Sequence, residues 1–244
     1  LDLRQRARLV FWPSMYWGGQ LLQHWALRYG FAVAVAYNAE SAIIDSGTRQ
    51  VVLVAKGDFT IALGQVRSAA LFSGNGQDAD AMTLTLSNVG IFVGVGGGLN
   101  ANGTATDYSD DTVTNGTLGF GATVTTLTLV SIKDRGASAL LATDDRTYLG
   151  VALKDFDGDL VGLDDLLVFH AYNVDAVINK SAHADGVTAV SKLDWSTFSN
   201  TGMDLSAAKT ALNATTLGAV TASVDLAVDG GVALNVLDGV LVAK

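Results

Sequence analysis

The sequence predicts an all-β fold, a parallel β-solenoid-like stack of short strands, with an antiparallel β-sandwich as the alternative. Three observations carry this reading. From residue 30 onward, apolar residues alternate or run in segments of strand length, as in "FAVAVAY", "AMTLTLSNVGIFVGVG", "GATVTTLTLVSI" and "RTYLGVALKDF". The breaks between segments are Gly, Asp and Asn words: GD, DG, GNG and GGGLNANG. Of 24 acidic residues only Glu40 is a glutamate, while Gly numbers 27 and Pro13 is the only proline. Asp and Gly favour turns and Glu favours helices, so many strands, tight corners and few helices are expected. Gly, Asp and Asn corners with a long repeat suit stacked coils that share a core. DG and GD between alternating strands also read as hairpin turns, which keeps the sandwich open.

Taken in chain order, residues 1–50 read as a Trp/Arg-rich N-terminal segment or the diverged end of a preceding repeat, and residues 51–244 as a β-rich repeat unit. The first part holds Trp12, Trp17, Trp25 and five arginines and carries a net charge of +2, leaving −11 for the rest of a chain whose total is −9. Arg4, Arg6 and Arg8 precede "LVFW", but Pro13, "GGQ" and His24 interrupt the apolar run before a signal-peptide core is complete. No apolar stretch is long enough to span a bilayer as a helix. With Leu1 at one end and an apolar run at the other, both ends read as edges of a fragment. Within this part "GGQLLQHWALRYG" predicts a short N-terminal helix. Leu21, Leu22, Trp25, Ala26 and Tyr29 share one face, and Gly30 is placed to end it. A weaker helical signal is "LSAAKTALNA", residues 205–214.

The strands contain a repeat. "VVLVAK" at 51–56 returns as "GVLVAK" at 239–244, and the same shift of 188 places Gly30 on Gly218, Ala34 on Ala222 and Ala39 on Ala227. A fainter echo places Asn88-Val89 and Asn173-Val174 each ahead of a short apolar strand. Asn tolerates positive φ, so both are expected at corners.

A net charge of −9 and a pI near 4.5 exclude a nucleic-acid partner, because nothing would neutralise a row of phosphates. The absence of cysteine excludes disulfides and thiolate metal sites. Catalytic signals are poor. His24, His170 and His183 are the only histidines, none stands in a metal motif, and no Cys nucleophile or G-x-S-x-G elbow is present. The glycine-rich stretch at 92–100 lacks Gly-Lys-Ser/Thr and reads as a turn. Sequons at Asn102, Asn115, Asn179 and Asn213 hint at exposed loops.

Acidic clusters are the best candidates for a ligand. In "DFDGDLVGLDD", Asp155, Asp157 and Asp159 offer three hard oxygen ligands within five residues, suited to Ca²⁺, although Leu160 and Leu166 depart from the EF-hand pattern. "GNGQDADAM" matches part of a calcium-binding nonapeptide through Gly74, Gly76 and Asp78, with Asp80 where an apolar residue belongs. "DYSDD", Asp107 to Asp111, is a third acidic loop. The competing reading of all three is solvated turns.

The series "TLTLSNVGIFVGVGG", "TYLGVALKDFDGDLVGLDDLLVFHAYNVDAVINK", "LDWSTF" and "VTASVDLAVDGGVALNVLDGVLVAK" resembles the long, degenerate repeats of giant bacterial surface proteins, adhesin-like or filament-like chains. The resemblance covers residues 57–244 and implies an extracellular or cell-surface structural protein built of β-structure, with no active-site residues to carry across. The expected function is a structural, self-associating repeat module whose partners are copies of itself or adjacent repeats. The alternative is an adhesive, glycan-binding module that displays the polar loop 97–118; a polysaccharide-active β-helix enzyme stands third.

Overall fold

The computed structural model describes the backbone of residues 9–13, 32–36, 41–44, 50–138, 140–236 and 241–243, with side chains for 51–138 and 140–236. The N-terminal helix expected at residues 18–30 lies outside the described residues. In chain order the strands are β1 (Leu9–Pro13), β2 (Ala32–Ala36), β3 (Ser41–Ile44), β4 (Gln50–Arg67), β5 (Ala79–Val95), β6 (Gly98–Asn100), β7 (Thr112–Thr114), β8 (Leu118–Asp134), β9 (Arg146–Val161), β10 (Leu167–His183), β11 (Thr201–Gly202), β12 (Leu226–Val236) and β13 (Leu241–Ala243). The weak helical signal near 205–214 forms α1 (Ser206–Asn213).

The fold is all-β, but the parallel solenoid is not what forms. One large sheet runs in the order β1-β2-β3-β4-β5-β8-β9-β10-β12-β13, with β11 against β4. Every pairing from β4 to β12 is antiparallel. The reason lies in the connections. Residues 162–166 alone join β9 to β10, too few for the crossover that a parallel pair needs. The strands are also longer than the short ones expected: β4, β5, β8, β9 and β10 are 16 to 18 residues long, because several expected corners lie inside strands. Gly57-Asp58, Asp157-Gly158 and Asp229-Gly230 are all mid-strand, whereas "GNG" at 74–76 does close a turn.

What occupies those mid-strand positions is a row of bulges. Lys56 pairs with Gly90 and Asp58 with Ser87, so Gly57 faces two residues, Asn88 and Val89. On the far side Tyr172 pairs with Gly231 and Asp175 with Asp229, so Gly230 faces Asn173 and Val174. Between them β5, β8 and β9 stay in step, which lines up Asn88, Thr125 and Asp155. Asn88, Asp155 and Asn173 have φ of 53°, 49° and 51°. Asn and Asp reach this left-handed region at least cost among residues with a side chain. Both Asn-Val echoes therefore mark positive-φ residues, at bulges and not at corners.

A bulge releases backbone amides from the ladder, and aspartates accept them. Asp175 Oδ1 accepts the Asp155 N–H at 2.9 Å, and Asp157 Oδ1 accepts the Asn173 N–H at 2.9 Å. Asn88 Nδ2 donates to Asp58 at 3.3 Å.

Two connections fold back over the sheet. The segment 184–225, with α1, packs on the half nearest Arg67, Asp134 and His183, and its buried Trp195, Phe198, Leu205 and Leu212 meet Val66, Val130, Ile132, Tyr148 and Val177. Small residues on the strands make room: a Cβ on Gly150 would stand 2.9 Å from the Trp195 ring. The hairpin β6–β7 covers the other half, with Val113 over Gly90. At the sheet end, buried Asp134 binds Arg146 at 2.7 Å and accepts the Phe72 N–H at 2.7 Å, while the Arg146 guanidinium lies 3.3 Å from the Phe72 ring centroid.

Candidate functional site

Side chains alternate across a strand, so residues that pair in register share a face. Ala81, Ile132, Tyr148, Ala152 and Val177 lie toward the 184–225 segment. Their strand neighbours point to the opposite face, and the registers assemble them into apolar rows. One row reads Phe59, Leu86, Leu127, Leu153, Ala176 and Val228; the next reads Ile61, Leu84, Leu129, Val151, Ile178 and Leu226. Beyond them lie Leu63, Met82 and Leu149.

The face continues past the bulges. β4 and β12 keep their alternation, and each central strand carries one extra residue, which brings its apolar side chains back to the same side. Leu53, Val93, Phe120 and Leu160 form a row there, with Phe169 and Leu234 paired alongside. The bulge row thus keeps one apolar face along strands whose letters, read at strict period two, would change sides midway.

This face is open among the described residues. Both covering segments lie on the other side of the sheet, and Phe59 and Leu63 are 72% and 74% exposed, Leu226 and Val228 62% and 60%. Charges appear only toward its lower rim, and each has a partner: Asp80 with Arg135 at 2.7 Å, Lys133 with Asp145 at 3.1 Å, Lys180 with Asp225 at 3.5 Å. The Arg135 hydrogen bond holds the Asp80 carboxyl below its ordinary value against a modest desolvation cost. What this face offers is apolar surface that another surface could bury.

The expected calcium ligands lie on the other side. Asp155, Asp157 and Asp159 belong to β9, not to a turn. Asp157 and Asp159 line a cavity of about 420 Å³ between the sheet and the β6–β7 hairpin, together with Lys56, Thr123 and Asp111. Asp111 is 5% exposed, and its Oδ1 has no hydrogen-bond partner. Asp155 stands apart from that lining, 3.8 Å from Lys154. Asp159 pairs with His170, whose ring stacks on Tyr172 at 5.6 Å. Asp157, Asp159 and Asp111 are therefore the carboxylates that could approach a cation here, yet among the described residues no three acidic or histidine side chains converge closely enough to hold one.

The other motifs also make contacts within the fold. Loop 97–118 is largely the β6–β7 hairpin. Asp78 and Asp80 make ion pairs with Arg67 at 2.5 Å and Arg135 at 2.7 Å. Asp107 accepts the Ser109 N–H and O–H, and the hydroxyl bond lowers its pKa most. Asn179, read as a hint of an exposed loop, is fully buried in β10. It and Trp195 carry the docking of the 184–225 segment, which residue types alone did not reveal. The signal for the apolar face was present as alternation, but the alternation does not say which side receives a cover.

Comparison of the chain with known protein families, with curated proteins and with solved structures finds no match.

Proposed function

We propose that the chain is a self-associating structural module of a bacterial extracellular fibre or cell-surface layer, in which successive units join edge to edge in one continuous sheet. The observation that carries this reading is the place of the two "VLVAK" words. The first lies in β4, paired with β3 and β5; the second includes β13, paired antiparallel with β12. A shift of 188 carries β13 onto residues 53–55 of β4, and residues 229–232 of β12 onto β3. Strand order therefore repeats, although register does not: Leu53 faces Ser41, whereas Leu241 faces Val236. One unit would contribute β4, β5, β8, β9, β10 and β12, and the next unit's β4 would take the place of β13. Sheet edges are natural templates for such addition. The proposal assigns no catalysis.

A tandem chain in which residues 57–244 are repeated after Lys244 tests it. Amides of 241–243 should then exchange with solvent as slowly as those of 53–55. Free exchange at 241–243, with two independent unfolding transitions, would reject the continuous sheet.

A second reading, a glycan-binding module, is favoured by the polar cavity under the β6–β7 hairpin and its buried, half-satisfied Asp111. Replacing residues 97–116 with a short turn should abolish glycan retention and leave assembly intact under that reading.

A further inference from the structure

We infer that the open apolar face packs against the same face of a second copy, closing a two-layer sandwich. The inference concerns the face of the sheet and holds whether or not the sheet continues at its edges.

Area favours a large and flat partner. Six strands spaced about 4.8 Å apart, over some fourteen residues rising about 3.3 Å each, present about 1,200 Å². Soluble monomers rarely expose a contiguous apolar patch above a few hundred Å². A stable complex needs about 800 Å² from each partner, so the face exceeds that requirement.

Shape narrows the occupant further. A helix is about 10 Å wide and would cover only two of the rows. Another twisted sheet covers them all, and sheets of equal twist pack face to face at about −30° with interdigitated side chains. The surface that matches this sheet in width, pleat and twist is its own, and a two-fold axis through the face makes such an interface self-complementary.

Charge does not oppose the pairing. In the two complete rows, from Phe59 to Val228 and from Ile61 to Leu226, every side chain is aliphatic or aromatic. Asp80, Lys133 and Lys180 sit at the rim with partners already in place. No unpaired charge would be buried, which is the usual obstacle to closing such a face. Among the described residues the remaining charges lie on the opposite face, in the loops and at the rim, so the described parts of two copies meet on neutral ground.

Because the chain has no cysteine, single thiols report cleanly on this interface. The test uses the full chain and four variants along the central row, Leu84→Cys, Leu129→Cys, Val151→Cys and Ile178→Cys, with Ser223→Cys on the opposite side as the exposed control. Sedimentation should give an even-numbered assembly. The four row thiols should be alkylated at least tenfold more slowly than the control, and mild oxidation should link at least one of them, nearest the axis, into a covalent dimer. A monomer with rapidly alkylated row thiols overturns the inference. So does a monomer with protected row thiols, which would mean that residues 14–31 of the same chain cover the face, and so does protection that appears only with added lipid vesicles. An assembly whose row thiols react as fast as the control would overturn the face pairing and leave edge-to-edge association standing.

Discussion

The indole Nε1–H of Trp195 donates to Oδ1 of Asn179 at 3.1 Å, at a point where both residues are buried. The same Asn179 donates through Nδ2 to the carbonyls of Leu193 at 2.8 Å and Thr221 at 3.0 Å. One strand residue thus holds the covering segment at two distant points, beside Trp195 and at Thr221, and the Trp195 ring covers Gly150 on the next strand.

Asn179→Ala should orphan the indole donor and two carbonyls, at a cost of about 2–4 kcal/mol. Denaturant unfolding followed by Trp fluorescence reads this directly. A loss below about 0.5 kcal/mol would show that the anchor is dispensable.

Asp175 gives the fold a pH dependence. Burial opposes its ionisation, but the amides of Asp155 and Thr216, the latter at 2.7 Å, outweigh that and lower its pKa from the ordinary 3.8. A depressed carboxyl stabilises the folded chain above its unfolded pKa, and the contribution is lost as pH falls through the lower folded value. Melting temperature should therefore fall more steeply below pH 4 in the native chain than in Asp175→Ala. That variant should cost about 2–3 kcal/mol at pH 7 by orphaning the two amides.

The bulge row predicts opposite signs for two substitutions at one position. Asn173→Gly should be neutral or slightly stabilising, because glycine reaches φ near +51° freely. Asn173→Val should cost about 1–2 kcal/mol, since a β-branched residue is strained there. Equal stability of the two variants in urea melts would deny the positive φ.

Calcium enters the proposal through the acidic surface. Residues 51–244 carry a net −11, which opposes association at low ionic strength. Added Ca²⁺ should raise the assembled fraction seen by light scattering, and EGTA should reverse it. Asp157→Asn with Asp159→Asn should weaken the Ca²⁺ response if the cavity takes the ion, and leave it unchanged if Ca²⁺ acts only as a diffuse counter-ion.

The single-copy sequence carried the local facts. Alternation in "TLTLSNVG" or "RTYLGVAL" indicated strands, "LSAAKTALNA" gave a weak signal for the α-helix found at Ser206–Asn213, and Asn88 and Asn173 stood out as residues suited to positive φ, because each of these depends on a residue and its near neighbours. Parallel or antiparallel pairing was not local. The same alternating letters serve a coil or a meander, and mid-strand Gly and Asp look like corners until the register reveals one residue facing two. The use of Asp155, Asp157 and Asp159 was likewise settled at a distance. Asn173, on the next strand, turns Asp157 into an acceptor for a bulge amide. Alternation put the leucines of β5, β8 and β9 on one side, with Ala81, Thr83, Thr128, Gly150 and Ala152 among the residues on the other. Only the return of residues 184–225 decided that the small side received the cover, because Trp195 needs the space that Gly150 leaves and the leucine face offers none.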